Sequence, residues 1–392
     1  MLRLPRASQP LGLAVELLCC VAFVPDFGTN ERQQTDPYVF RTETALVRLD
    51  VSVLDAKGNA IRDLVPSDFE LRQDGKQQPV VFAEFRQLAD LGQAAHGADA
   101  RIGIAPGGRR LVIVVDDMRM SFENVVRVRQ DLLAALVRNS LPDDQMMIVG
   151  TRGGARTVAF TRDPVILAKQ VEALRWEAPT RNNQPDTDER RRSCMDTPGS
   201  ESVLDVEFGD SPLAFIASAV SELRSHPGRK IILLLADGIN DMCPEYRWRF
   251  DERLRRLTDL AARSSSIIYA LQTRAFSSGV RMPDQRARSS DVTGVPFSPT
   301  AHNEVSERMK KLAEPTGGYA ERSNSILALL TAALKDSSSY YVLAYEPPAG
   351  TFTTGKVRYR RLEVRVSRRG AIVRTRAGFY SIADSELIPR AR

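Results

Sequence analysis

Hydrophobic and polar residues follow two different patterns along this chain. In residues 44–87 and 337–382, apolar residues alternate with polar ones, which is typical of β-strands with one buried face. Between these segments, short continuous apolar runs are followed by stretches with apolar residues at helical spacing. Such an alternation predicts parallel strands that are buried on both faces and connected by helices. The fold class predicted from the pattern is therefore α/β.

The two alternating segments are each too short to form a stable domain. Residues 44–87 and residues 337–382 would leave unpaired strand edges if they folded separately. We therefore predict that they pair into one antiparallel β-sandwich, into which a doubly wound, mainly parallel α/β domain at residues 109–336 is inserted. Residues 25–43 and the Gly- and Ala-rich residues 88–108 are predicted linkers.

Acidic residues directly follow two of the apolar runs. Residues 111–115 lead into Asp116 and Asp117, and residues 231–236 lead into Asp237 and a glycine. The carboxyl ends of parallel strands form the crevice in which open α/β sheets place their ligands. Because carboxylate oxygens are the ligands that hard divalent cations prefer, these aspartates predict a candidate site for Mg²⁺ or Ca²⁺.

The N-terminal residues have the pattern of an export signal. Arg3 and Arg6 precede an apolar stretch that is too short to span a bilayer comfortably, so residues 1–24 are a predicted signal peptide. An uncleaved signal anchor and a lipoprotein, with Cys19 or Cys20 lipidated, are the alternatives. The expected location is secreted, or periplasmic or cell-envelope. No other segment is long and apolar enough to cross a membrane, so no membrane span is expected after signal removal.

Two cysteines remain once the signal peptide is removed. Cys194 and Cys243 both lie in polar loop sequence, and an exported chain with two cysteines favours a disulfide between them. The alternative is two free thiols, because sequence alone does not show that the two Cα atoms come within bonding range.

The charge of the chain is basic but dispersed. The formal net charge of +6 comes mostly from arginine, and basic clusters can indicate nucleic acid or an anionic surface. In the C-terminal segment, however, arginines alternate with Leu362, Val364 and Val366, as on the solvated face of a strand. We therefore expect no nucleic-acid partner.

Most motifs of enzymatic sites do not occur in this sequence. It has no phosphate-binding glycine motif and no Gly-x-Ser-x-Gly elbow, and its three histidines are widely scattered. The sequence thus predicts a protein that is not an enzyme. The alternative is a Rossmann-like, metal-dependent hydrolase that uses Asp116, Asp117 and Asp237.

Several short motifs occur in an order and spacing that resemble a von Willebrand factor A domain. Each motif is weak alone, but together they cover nearly everything from about residue 40 to 380. More narrowly, the chain is similar to the VWFA-related family of the Acidobacteria type, which has a comparable N-terminal strand module and strand-rich tail. The motifs are residues 111–121, 144–154, 175–176, 227–238, 316–318 and 340–345.

The resemblance implies a Rossmann-like A-type domain with a metal-ion-dependent adhesion site. Such a site combines an Asp-x-Ser-x-Ser motif, a distant threonine and an aspartate before glycine. Asp237 matches the last element, and Ser211 stands about where the threonine belongs. The candidate metal ligands implied by the resemblance are Asp116, Asp117, Ser121, Ser211 and Asp237.

The first element of this implied site is altered. Counted from Asp116, Met118 and Met120 replace both serines; counted from Asp117, Arg119 replaces one of them. A thioether is a poor ligand for Mg²⁺ or Ca²⁺, and an arginine would repel the cation or occupy its place. The resemblance thus implies a degenerate site with no cofactor, or with weakly bound Mg²⁺ or Ca²⁺.

These features together predict an exported adhesion or scaffolding protein. It would bind a protein partner, whose identity the sequence does not give, with the crevice face of its A-type domain. In a metal-free crevice, Arg119 would pair with Asp117 or Asp237.

Overall fold

A computed structural model of the chain describes residues 46–88, 108–151, 159–176, 212–239, 247–273, 299–352 and 357–381. The predicted signal peptide, the linker at residues 25–43 and most of the linker at residues 88–108 lie outside these residues. The predicted disulfide partners Cys194 and Cys243, and the candidate ligand Ser211, also lie outside them.

The strands of the described residues are numbered in chain order. They are β1 (Val47–Leu54), β2 (Phe69–Gln73), β3 (Lys76–Gln78), β4 (Val80–Gln87), β5 (Arg109–Val115), β6 (Gln145–Gly150), β7 (Arg229–Ala236), β8 (Ser266–Gln272), β9 (Ala320–Arg322), β10 (Ser339–Tyr345), β11 (Tyr359–Val366), β12 (Ile372–Arg374) and β13 (Gly378–Tyr380).

The helices alternate with the central strands. They are α1 (Phe122–Asn139), α2 (Pro164–Glu172), α3 (Pro212–Arg224), α4 (Arg247–Ser264), α5 (Pro299–Ala313) and α6 (Ile326–Asp336). The first two begin at side-chain caps, because Ser121 accepts a hydrogen bond from Asn124 N and Asp163 accepts one from Val165 N. Within the described residues, no helix combines the length and apolarity needed to cross a membrane.

The central sheet has the order β6-β5-β7-β8-β9, and all its pairs of neighbouring strands are parallel. Alternate residues of β5 enter two separate cores: Ile113 packs with α1, α2 and α6 on one face, and Val112 packs with α3, α4 and α5 on the other. A strand covered on both faces needs apolar residues at every position, which explains the continuous apolar runs. The predicted α/β class is confirmed.

Two antiparallel sheets combine strands from the beginning and the end of the described chain. Their orders are β12-β1-β10-β4 and β13-β11-β2-β3. In the first sheet Val47 lies opposite Tyr345, and in the second Leu71 lies opposite Val364. Residues from both sheets share one core, in which the Phe69 ring contacts the Tyr341 ring edge-on at 5.2 Å.

A buried ion pair fixes the amino end of the central sheet. Arg109 begins β5 and is fully buried, and its guanidinium binds both carboxylate oxygens of Asp144 at 3.0 and 2.6 Å. The remaining N–H groups of this guanidinium donate to the carbonyl oxygens of Leu334 and Asn139 and to Ser337 Oγ. All five donors are therefore used, which is the condition for burying a charged arginine at low cost.

Candidate functional site

A polar residue follows each of four neighbouring parallel strands, and all four lie at the carboxyl edge of the sheet. Asp116 follows β5, Thr151 follows β6, Asp237 follows β7 and Thr273 follows β8. All four are buried, with exposed fractions of 7% or less. Backbone bonds extend the sheet past its last strand residues, since Asp116 N donates to Leu235 O. We call Asp116, Asp117, Asp237 and Thr151 the acidic edge.

Thr151 joins the two consecutive aspartates. Its hydroxyl donates to Oδ1 of Asp116 at 2.9 Å and lies 3.3 Å from Oδ1 of Asp117. A hydroxyl has a single proton, so it donates to one carboxylate at a time. The other oxygen of Asp116, Oδ2, is buried and has no hydrogen-bond partner among the described residues.

The environment of Asp116 favours its neutral form. Burial raises the pKa of Asp116 from 3.8 to about 6, and the negative charges of Asp117 and Asp237 act in the same direction. The positive charge of Arg119 and the Thr151 hydroxyl oppose this rise in the pKa. Desolvation is the largest contribution, which agrees with an exposed fraction of 1%.

Asp237 is held by donors of the protein itself. Its Oδ2 accepts the backbone N–H of Ser121 at 3.0 Å, and its Oδ1 accepts Asn124 Nδ2 at 2.6 Å and Thr273 Oγ at 2.8 Å. These three charge-assisted hydrogen bonds stabilise the buried carboxylate. The donors come from the start of α1 and from the end of the neighbouring strand β8.

Two methionines and a serine that caps a helix stand at three of the positions where the implied adhesion motif has serines. Met120 is buried in the core between the sheet and α1, and Met118 is exposed. The hydroxyl of Ser121, the serine that remains, accepts a hydrogen bond from Asn124 N as the cap of α1. The Met120 thioether thus lies in the core, and the Ser121 hydroxyl serves as a helix cap.

Asp117 fits its place only because its neighbour is a glycine. A Cβ atom at Gly150 would lie 2.6 Å from Asp117 Oδ2, a distance that any side chain would have to relieve by moving the carboxylate. The same oxygen accepts the backbone N–H of Arg175 at 3.3 Å. The position of Asp117 is therefore set by β6 and by the residues that follow α2.

The donor set fits a resident cation poorly. In the described part of the chain, no three or more His, Cys, Asp or Glu side chains are grouped so that they could hold a metal ion. The charge of Arg119 is close enough to lower the pKa of Asp116, and a second positive charge there would be repelled. The expected pairing of Arg119 with Asp117 or Asp237 stays a prediction.

Sequence reasoning missed Thr151, Asn124 and Thr273. A signal for two of them exists, because Thr151 and Thr273 directly follow parallel strands just as Asp116 and Asp237 do. Both threonines are found when every polar residue that follows a parallel strand, and not only an acidic one, is taken as a candidate. Asn124 lies in the first turn of a helix and carries no comparable signal in the sequence.

Exposed apolar side chains lie beside the acidic edge. Met118 is 39% exposed and Phe122 is 53% exposed, and they flank the Ser121 cap. The Phe122 ring contacts the half-buried Trp176 ring edge-on at 5.4 Å. Trp176 follows Arg175, whose backbone binds Asp117. We call Met118, Phe122 and Trp176 the apolar rim.

No protein-family model matches the chain, and no curated protein matches it significantly.

Proposed function

We propose that this chain is an exported adhesion or scaffolding protein that binds a protein partner with the acidic edge and the apolar rim. The edge would be the crevice face of a von Willebrand factor A-type domain with a degenerate metal-ion-dependent adhesion site. The observation that carries the proposal is the apolar rim, in which the exposed Phe122 packs on Trp176 and Met118 is also exposed, at the ligand-binding end of a parallel sheet.

The rim has the composition of a protein-binding centre. Aromatic residues and methionine are enriched at such interfaces, and aromatic anchors dominate their binding energy. Phe122 is also held in place before any partner arrives, since it begins α1 directly after the Ser121 cap and packs on Trp176. A preorganised anchor loses little side-chain entropy on binding.

The fixed hydrogen bonds of the acidic edge support the same function. Ser121 N and Asn124 Nδ2 both bind Asp237, so the start of α1 is fastened to the end of β7. The rim therefore stands on a rigid base rather than on a free loop.

The architecture that we propose for this chain is an A-type domain inserted in a β-sandwich. The pairing of β1 with β10 and of β2 with β11 supports a β-sandwich built from both ends of residues 44–382, with the A-type domain inserted in it. Export rests on the sequence pattern of residues 1–24, and the disulfide between Cys194 and Cys243 rests on that export.

A capture experiment with matched variants tests the proposed surface. The mature chain is immobilised and exposed to the envelope fraction of its own source, with Mg²⁺ and with a chelator. We expect one partner to be retained in both conditions, and Phe122→Ser to reduce its retention at least about tenfold, the loss of a typical aromatic anchor. Val81→Ser is the control, because Val81 is similarly exposed but lies on β4. Unchanged retention by Phe122→Ser, or retention only with Mg²⁺, would overturn the proposal.

One observation favours the alternative, a hydrolase. A buried carboxyl group with a pKa of about 6 and one unpartnered oxygen has the properties of a general acid or base near neutral pH. The test is hydrolysis of p-nitrophenyl esters and p-nitrophenyl phosphate with and without Mg²⁺. Turnover that Asp116→Asn abolishes would establish the hydrolase. Our proposal expects the same background rate for the wild type and this variant.

A further inference from the structure

A cavity of about 520 Å³ lies at the end of the central sheet opposite to the acidic edge. Its wall contains the first residues of β7 and β8, the ends of α3 and α4, and residues of β1, β10 and β12. The central sheet and the antiparallel sheet of β1 and β10 thus both contribute to it. We call it the basic cavity.

The charge on the wall of the basic cavity is strongly one-sided. Six arginines and one lysine line it, and among the described lining residues Asp50 is the single carboxylate. Asp336 pairs with Arg374, and Asp50 pairs with Arg48 and lies 3.6 Å from Arg229. The remaining cations are Arg224, Lys230, Arg263 and Arg376. So many like charges around one space repel each other, and an anion inside it would relieve that repulsion.

Arg229 shows the incomplete pairing most clearly. Its side chain is 2% exposed, yet its Nε and Nη1 have no hydrogen-bond partner in the described part of the protein. Nη2 donates to Ser52 Oγ at 3.3 Å, and Asp50 Oδ2 lies 3.6 Å from Nη1. The central carbon of the guanidinium lies 4.2 Å from the centroid of the Tyr340 ring, and this cation–π contact helps to hold it in place. A buried arginine that lines a cavity, with two nitrogen atoms that lack hydrogen-bond partners among the described residues, is suited to binding an oxyanion.

The comparison with Arg109 shows that this arrangement is not a general property of the sheet. Arg109 and Arg229 begin adjacent strands and lie directly opposite each other in the register of β5 and β7. Arg109 uses all its donors, and Asp144 neutralises its charge. In a fold that completes the hydrogen bonds of one buried arginine, the unused donors of its neighbour indicate a missing partner.

Two other cations of the cavity, Lys230 and Arg376, are crowded or only partly hydrogen-bonded. Burial lowers the pKa of Lys230, and the charge of Arg224 lowers it further. Burial also lowers the pKa of Arg376, whose Nη2 donates to Arg48 O at 2.8 Å. Nε of Arg376 is buried without a hydrogen-bond partner among the described residues. The ionised side chains thus stay close together at a free-energy cost that a bound anion would offset.

We propose that the basic cavity binds a small, multiply charged oxyanion, either a phosphate-bearing molecule or a polycarboxylate, with Arg229 as its main contact. Phosphate and carboxylate groups both accept the paired N–H donors of a guanidinium. The ligand would contact the central sheet and the sheet of β1 and β10 together, so its binding would stabilise the packing of one on the other. This site is separate from the acidic edge and does not depend on the proposed protein-binding function.

Calorimetry on the full chain tests the site. Inorganic phosphate, pyrophosphate and citrate are titrated separately at a constant ionic strength set with sodium chloride. We expect one anion to bind with a stoichiometry of one and to raise the melting temperature. Binding of the phosphates alone identifies the ligand class as phosphate-bearing, and binding of citrate alone identifies it as polycarboxylate.

Three variants assign the binding to the cavity. Arg229→Lys keeps the charge but loses the paired donors, and we expect at least about tenfold weaker binding. Arg224→Gln removes an exposed cation at the wall, so it weakens binding even if Arg229→Lys does not fold. Arg365→Gln is the matched control, because Arg365 is exposed and does not line the cavity. Absence of stoichiometric binding, or equal weakening in Arg365→Gln, would overturn the proposal.

Discussion

The carboxyl and amino ends of the central sheet differ in both charge and hydrogen bonding. At the carboxyl end, Asp237 accepts three hydrogen bonds, and Asp116 keeps one oxygen without a partner among the described residues. At the amino end, Arg109 is completely paired, while the neighbouring Arg229 has two unused nitrogen atoms in the described structure. Each end therefore has one buried charged group with a complete set of hydrogen bonds and one with an incomplete set. The groups with incomplete hydrogen bonding are the candidates for function.

The direction of the helices explains why the two ends carry opposite charges. In a parallel α/β unit, helices begin at the carboxyl ends of strands and end at the amino ends. The start of α1 donates a backbone N–H to Asp237, which is favourable for an anion. The carbonyl oxygens of Arg224 and Ser264, at the ends of α3 and α4, accept hydrogen bonds from Lys230, which is favourable for a cation.

The largest change in the free energy of unfolding is expected when the buried pair of Arg109 and Asp144 is broken. Asp144→Ala leaves the fully buried Arg109 without its counter-ion, so we expect it to lower the free energy of unfolding by about 3–5 kcal/mol. Chemical denaturation measures this loss. Asp251→Ala is the control, because the exposed pair of Asp251 and Lys311 should contribute less than about 1 kcal/mol. Similar losses in both variants would show that the buried pair has no special structural role.

Replacing Asp116 is expected to raise the free energy of unfolding, by a smaller amount. Its folded-state pKa is raised from 3.8 to about 6, so it costs no stability below 3.8 and destabilises the folded chain increasingly as the pH rises to about 6. The pKa difference corresponds to about 3 kcal/mol, which Asp116→Asn should recover in part at pH 7.5. The measurement is denaturant unfolding of both proteins in chelator between pH 3.5 and 7.5. A stability difference independent of pH would contradict the raised pKa.

The smallest expected effect comes from the hydroxyl that joins the aspartates. Thr151→Val keeps the side-chain shape but removes the donor to Asp116, so the free energy of unfolding should fall by about 1 kcal/mol at neutral pH. The loss should be smaller in acid, where Asp116 is neutral. Thr258→Val removes the hydrogen bond of an exposed hydroxyl on α4 and should lower the free energy of unfolding by less. An equal cost in the two variants would show that Thr151 does not stabilise the ionised acidic edge.

Local patterns in the sequence were sufficient to predict the class of the fold and the position of the carboxylates. Continuous apolar runs at residues 111–115 and 231–236 predict strands buried on both faces, and the structure has β5 and β7 there as neighbours in a parallel sheet. The sequence also placed Asp116 and Asp237 at one edge, because parallel strands end on the same side. These features follow from local patterns, which need no knowledge of distant partners.

The hydrogen-bond partners of those charges could not be predicted from the sequence. Nothing near Asp237 in the sequence indicates that Asn124 and Thr273 bind it. Likewise, Arg109 and Arg229 have similar sequence surroundings, each before an apolar run, yet one is completely hydrogen-bonded and the other is not. The physical reason is that the pairing of a buried charge depends on contacts between elements far apart in the chain, over distances of a few ångströms that no local pattern encodes.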